Sequence, residues 1–225
     1  MIRLEISGDI INNLISWWRS TDRKSKYPWR TDRDPYRSIV TEVLLTRTKR
    51  EIVARIYQEF FSKFPDAKSL SQARDDEILK IISCLGLRKR VRTLKMLAEK
   101  LTSKLPEKPE DLEDLPGIGR YAIDLLSLKL FGKGKLPADR NIARVVWRLF
   151  KGCDPDSEKP ENDKFVRDVL ATLEYPNDPD ATLEVAYALM DLGHEICKPR
   201  KPRCRDCPLM NYCLYQANQL EERKS

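Results

Sequence analysis

Four cysteines, Cys197-x6-Cys204-x2-Cys207-x5-Cys213, are compressed into one short run near the C-terminus. Four in a single tight run read as metal ligands in a reducing compartment rather than as a secreted disulfide framework. Zinc sites usually show two separated C-x-x-C pairs, whereas here one pair is flanked by single cysteines. Four thiolates in one compact loop suit a [4Fe–4S] cluster, which needs a soft ligand at each corner, with zinc as the alternative metal. Cys197, Cys204, Cys207 and Cys213 are therefore the candidate ligands. Cys84 and Cys153 lie outside the run and read as ordinary thiols. Between the first two ligands stand Lys198, Arg200, Lys201 and Arg203, in a loop stiffened by Pro199 and Pro202. Such a loop puts positive charge on phosphates. His194, just before the run, reads as a packing or phosphate-contact residue rather than a ligand.

A second constraint lies at Leu115-Pro116-Gly117-Ile118-Gly119-Arg120-Tyr121. The G-x-G spacing between apolar, helix-patterned segments predicts a tight hairpin with free backbone N–H groups at a helix start, a ready anion site. Gly117 and Gly119 remove side chains that would block a phosphate. Asp139 follows at another predicted helix start, in a D-x-N context with Asn141. A plain helix–helix turn and an N-cap would use the same residues.

The remaining chain is patterned for helices. Stripes run through Ile10, Ile11, Leu14, Ile15, Trp17 and Trp18; Ile39, Val40, Val43 and Leu44; and Ile52, Val53, Ile56, Tyr57, Phe60 and Phe61. Further stripes fall at 78–82, 91–101 and 142–149, then at 161–173 and 179–192. Thr48-x-x-Glu51 predicts a capping box, and Gly86 a helix C-cap. Trp17, Trp18 and Trp29 read as core. No alternating strand pattern occurs, so the fold class is all-α. At 225 residues with 41% hydrophobic content the chain can build a sizeable core. A net charge of +7 and a pI near 9.0 favour a polyanionic partner. No apolar run reaches transmembrane length and no signal-peptide pattern opens the chain, so a cytoplasmic, nucleoid-associated protein with no membrane partner is expected.

The hairpin, the aspartate at that distance and the cysteine spacing together resemble the helix-hairpin-helix DNA glycosylase superfamily with an iron–sulfur cluster, which includes endonuclease III, MutY and the MIG-type mismatch thymine glycosylases. The resemblance covers roughly residues 27 to 215. It implies two helical lobes: residues 24–136 with the hairpin, and residues 1–23 plus 137–225 with the [4Fe–4S] loop. The partner it implies is double-stranded DNA carrying a mismatched or damaged base, bound by a monomer. Asp139 matches the superfamily's essential aspartate, which stabilises positive charge on the sugar and positions or deprotonates water. Gly117, Gly119 and Arg120 would grip the DNA backbone.

Position 121 separates the subfamilies. Bifunctional members carry a lysine there that forms a Schiff base, and Tyr121 cannot form an imine. The resemblance thus implies a monofunctional enzyme, although Lys129, Lys133 and Lys135 stand nearby in sequence as alternative amines. Tyrosine here, together with Leu44-Leu45-Thr46-Arg47-Thr48, is similar to MIG-type enzymes. With only a dozen residues after Cys213 in this sequence, an oxidised-guanine domain like that of MutY is not expected. Glu42 matches the acidic residue at the base pocket, where it would hydrogen-bond a flipped pyrimidine; a solvent-facing helix glutamate is the alternative. Arg47 and Leu87 fall where relatives fill the gap left by the flipped base, with Arg88 beside Leu87 in a basic turn. The expected activity is removal of thymine or uracil mispaired with guanine. An adenine glycosylase, a bifunctional oxidised-pyrimidine enzyme and a non-catalytic DNA-binding module are the rivals.

Overall fold

The computed structural model describes residues 8–20, 22–86 and 89–222. Leu87 and Arg88 lie outside the described residues. The helices are α1 (Gly8–Arg19), α2 (Pro35–Leu45), α3 (Arg50–Lys63), α4 (Ala67–Gln72), α5 (Asp75–Ile82), α6 (Arg90–Ser103), α7 (Arg120–Phe131), α8 (Arg140–Phe150), α9 (Lys164–Thr172), α10 (Pro179–Asp191) and α11 (Leu214–Glu222). Short 3-10 and π turns join them, and no strand occurs among the described residues. None of these helices is long and apolar enough to cross a membrane.

The chain divides into two compact units, residues 22–133 and residues 1–21 with 134–225. The first holds α2 to α7 around one apolar core. Ile39, Val40 and Leu44 of α2 meet Val53 and Phe60 of α3 and Leu94 and Leu97 of α6, all essentially without solvent exposure. Each stripe recurs every three to four residues, so one face of each helix is apolar and turns inward. Start signals are local. Asp34 accepts the Arg37 backbone N–H at 2.7 Å and Pro35 opens α2 with its φ already set. Gly86 ends the turn after α5 at φ 77°, as expected of a C-cap glycine.

The capping box expected at Thr48 and Glu51 does not form. Lys49 is the N-cap of α3 and contributes no side-chain cap. Thr48 Oγ1 donates instead to the Thr46 carbonyl oxygen at 3.3 Å, and Tyr27 Oη donates to Glu51 Oε1 at 2.9 Å. The chain enters α3 through Arg47 in the left-handed region, at φ 54°. That moves the helix start one residue past the threonine and leaves Glu51 to a tertiary partner.

In the second unit α1 packs on α10. Trp18 stacks on Tyr187 with centroids 6.3 Å apart, and its indole N–H donates to Asp191 Oδ2 at 2.9 Å. Trp18 and Trp29 are buried, while Trp17 is only half-buried. Helix α8 lies against α9, α10 and α11, and its residues Ile142, Ala143, Val145 and Val146 are buried. Cys84 and Cys153 are exposed free thiols.

Candidate functional site

The hairpin closes through a turn in which the Ile118 N–H donates to the Leu115 carbonyl oxygen at 3.2 Å. Its first arm is a 3-10 turn, Pro109–Leu112, and its second is α7. Gly117 is required by the fold itself: φ is 81°, and a Cβ would lie 2.7 Å from Thr93 Cγ2. Gly119 is not. Its φ is −99°, and a Cβ there would meet nothing within 4 Å. As N-cap it offers no side-chain acceptor to the first turn of α7, so that end presents N–H groups and the positive end of the helix dipole. Arg120 is exposed and pairs with the buried Asp124 at 3.2 Å. Tyr121 is half-buried and packs on the apolar core of its unit.

Glu42, on α2, keeps part of its side chain exposed, yet its carboxyl is hemmed in by protein. Burial pushes its pKa up to about 7, opposed by the cation of Lys129. Lys129 sits on α7 two turns beyond Tyr121 and is 6% exposed. Its Nζ donates to the Trp29 carbonyl oxygen at 2.7 Å, and burial lowers its pKa to about 8 against the pull of Glu42 and Asp32. Glu42 is thus a partner of a buried amine and not a solvent-facing helix residue. Lys133 and Lys135 are exposed. Arg47 is exposed at its left-handed turn.

In the other unit, Asp139 caps α8. Its Oδ1 accepts the backbone N–H groups of Asn141 at 2.8 Å and Ile142 at 2.7 Å. Asn141 Nδ2 donates to Asp139 Oδ2 at 3.0 Å. Asn141 Oδ1 in turn accepts from Arg144 Nη2 at 3.0 Å. Arg144 also donates to the Gly193 carbonyl oxygen from Nη2 and to the Cys197 carbonyl oxygen from Nε, each at 2.8 Å. A hydrogen-bonded chain therefore runs from Asp139 to the first cysteine of the run. One oxygen of Asp139 is tied to the helix start, and the other keeps acceptor capacity beyond its single amide bond.

Arg148, one turn further along α8 and 1% exposed, organises the cysteine loop. It donates to the carbonyl oxygens of Lys198 at 2.7 Å and Pro199 at 3.0 Å and to Cys197 Sγ at 3.7 Å, and pairs with Asp154 at 2.7 Å. The backbone N–H groups of Lys198 and Arg203 converge on the Ile196 carbonyl oxygen, closing the base of the loop. Lys198, Arg200, Lys201 and Arg203 all lie exposed along this loop, and Lys201 takes a left-handed φ of 51°. The four cysteines are half-buried, join no disulfide among the described residues, and line one small cavity with Arg148 and Met210. Among the described residues no three His, Cys, Asp or Glu side chains converge as they would on a single metal ion. Four sulfurs around one cavity match the donor set of a multi-cornered cluster. His194 is exposed in the π turn before the run.

Arg144 and Arg148 carry most of this scaffolding and do not stand out as site residues from their chemistry alone. Their signal is placement: two arginines four residues apart among Ile142, Val145, Val146 and Leu149, on a helix that buries nearly every side chain.

Residues 40–168 match the family model described as HhH-GPD superfamily base excision DNA repair protein. The chain is 34% identical to a thymine-DNA glycosylase of Aeropyrum pernix, over 91% of this chain and 93% of that one. It is 33% identical to a thymine/uracil-DNA glycosylase of Pyrobaculum aerophilum, over 90% and 89%. The solved structure of a thermostable thymine-DNA glycosylase superposes with a TM-score of 0.79 at 30% identity, covering 92% of this chain and 95% of that one. The chain belongs to the HhH-GPD superfamily of base excision DNA repair proteins, and within it to the DNA glycosylases.

Proposed function

We propose that the protein is a monofunctional glycosylase that hydrolyses the N-glycosidic bond of thymine or uracil mispaired with guanine in duplex DNA. The observation that carries this reading is Tyr121 in the first turn of α7, two residues past Gly119. A phenol there can pack against a nucleotide but cannot attack the sugar as an amine does. Relatives named for thymine and uracil, aligned over nine-tenths of the chain, support the same substrate.

A base stacked in duplex DNA is out of reach, so the nucleotide is extruded first. The uncapped N–H groups at the start of α7, with Gly119 leaving space beside them, bind a backbone phosphate. Arg47 faces the orphan guanine, and Leu87, with Arg88 beside it, fills the vacated stack. Glu42, titrating near neutrality, can accept from or donate to the pyrimidine edge. As the glycosidic bond breaks, positive charge develops on the deoxyribose. Asp139 stabilises that charge through its less engaged oxygen and orients the attacking water. Water completes the reaction and leaves an abasic site.

Cys197, Cys204, Cys207 and Cys213 hold a [4Fe–4S] cluster in this reading, and their shared cavity supports it. The cluster's chemistry is structural: it pins the loop that presents Lys198, Arg200, Lys201 and Arg203 to phosphates. Iron near four per chain with a visible absorption band is expected, and stoichiometric zinc without iron would refute it.

The deciding experiment is single-turnover cleavage of duplexes carrying T·G, U·G, A·G and A opposite oxidised guanine, with and without alkali. Release of T and U, with strand breaks only after alkali, is the expected result. Preferential release of A, or breakage without alkali, would sink the proposal.

A further inference from the structure

We propose that Arg90 is a positioning residue that sets the reach of Arg47 toward DNA by clamping the end of α2, an inference that rests on the reading of Arg47 as the cation facing the orphan guanine. Arg90 opens α6 and is 5% exposed. Its Nη1 donates to the Leu44 carbonyl oxygen at 2.9 Å and its Nη2 to the Thr46 carbonyl oxygen at 2.5 Å. A helix end leaves its last carbonyls without intrahelical donors and carries the negative end of the dipole. The guanidinium satisfies both needs at once.

Among the described residues these two carbonyls are what Arg90 bonds, and burial pulls its guanidinium below the ordinary arginine range. Burying a cation is costly, and a neutral donor could serve these carbonyls without that cost. What the arginine adds is orientation. The Thr46 carbonyl belongs to the peptide plane that leads directly into the Arg47 nitrogen. Fixing that oxygen fixes the plane from which the Arg47 side chain departs. Thr46 leaves the helix with ψ 116°, Arg47 turns to φ 54°, and the Thr48 N–H returns to the Leu45 carbonyl oxygen at 3.0 Å. A left-handed φ on a residue bearing a side chain persists when its surroundings over-determine it. Arg90 supplies that constraint from behind, while Arg47 itself is exposed. A rigid two-donor fork can hold both carbonyls in a set geometry, which a single ammonium cannot.

The test is a double-mutant cycle on the full chain, with a T·G duplex carrying 2-aminopurine beside the thymine. Arg90→Gln should slow single-turnover excision at saturating enzyme by on the order of tenfold and weaken the fluorescence rise that reports unstacking. In an Arg47→Ala background the same substitution should change neither signal by more than about twofold, because the side chain it positions is gone. A loss that persists undiminished in that background would overturn the proposal, as would an Arg90→Gln protein with wild-type excision. Wild-type excision by Arg47→Ala alone would refute the Arg47 reading, and the proposal with it, by a result distinct from additivity. If Arg90→Gln does not accumulate as folded protein, Arg90→Lys keeps the cation, loses the fork, and completes the same cycle.

Discussion

Arg144 Nε donates to the Cys197 carbonyl oxygen at 2.8 Å, joining α8 to the first residue of the four-cysteine run. Its Nη2 spans the Gly193 carbonyl oxygen and Asn141 Oδ1, and Asn141 holds Asp139. Gly193 permits this closeness, since a Cβ there would lie 3.0 Å from Asn141. One buried guanidinium thus connects the cysteine loop to the start of α8. Arg144→Ala strands three acceptors and should lower stability by about 1–3 kcal/mol. It should also slow base release beyond what partial unfolding accounts for. A thermal melt and a single-turnover assay on the same preparation check both; unchanged excision would mean Asp139 needs no support from this side.

Asp139 has a capping role and a proposed chemical one, and the two are separable. Asparagine caps helices about as well as aspartate. Asp139→Asn should therefore cost less than about 0.5 kcal/mol of stability. It should bind mismatched DNA nearly as wild type yet release base roughly 100- to 1,000-fold more slowly, because the charge is lost while the shape remains. Near-normal turnover would reduce Asp139 to a cap.

Lys198, Arg200, Lys201 and Arg203 share one closed loop, and all four stand exposed on it. Replacing all four with glutamine should flatten the dependence of log binding constant on log salt by about 0.9 for each phosphate no longer neutralised. Fluorescence anisotropy across a salt series measures the slope. An unchanged slope would show that the loop faces away from DNA.

Tyr121→Lys should create an amine in the first turn of α7. Expected results are weak strand cleavage without alkali and a borohydride-trapped protein–DNA adduct, neither given by wild type. Lys129 does not substitute for it, because its Nζ is buried on the Trp29 carbonyl. Efficient trapping of wild type would implicate Lys133 or Lys135, which are exposed, and would end the monofunctional assignment.

Glu42 predicts a pH signature. Burial raises its carboxyl from the ordinary 4.5 to about 7, so between those values the folded state binds a proton that the unfolded chain has released. Stability attributable to this group therefore falls as pH rises through that window. Lys129 has the opposite slope at higher pH. Its folded value near 8 lies below the ordinary 10.5, so its burial cost is relieved as pH rises between them. Glu42→Gln should gain stability relative to wild type from pH 4.5 to 7 and lose any inflection of excision rate near pH 7. Parallel denaturation and rate profiles of the two proteins would reveal both, and identical profiles would count against a titrating Glu42.

Much of this protein is determined by interactions that span four residues or fewer. The apolar stripes of α2, α3 and α6, the caps at Asp34 and Asp139, and the left-handed Gly86 all follow from helical period and local hydrogen bonding. Tertiary structure decided the rest, because the decisive partners come from distant chain. Glu51 left its expected capping box for Tyr27, and Lys129 is a buried partner of Glu42 rather than a free amine. Arg90 found its acceptors on α2, and Arg144 and Arg148 found theirs in the cysteine loop. A buried cation is tolerated only where packing brings enough acceptors to it, and a short window of sequence carries no record of which distant carbonyls will arrive.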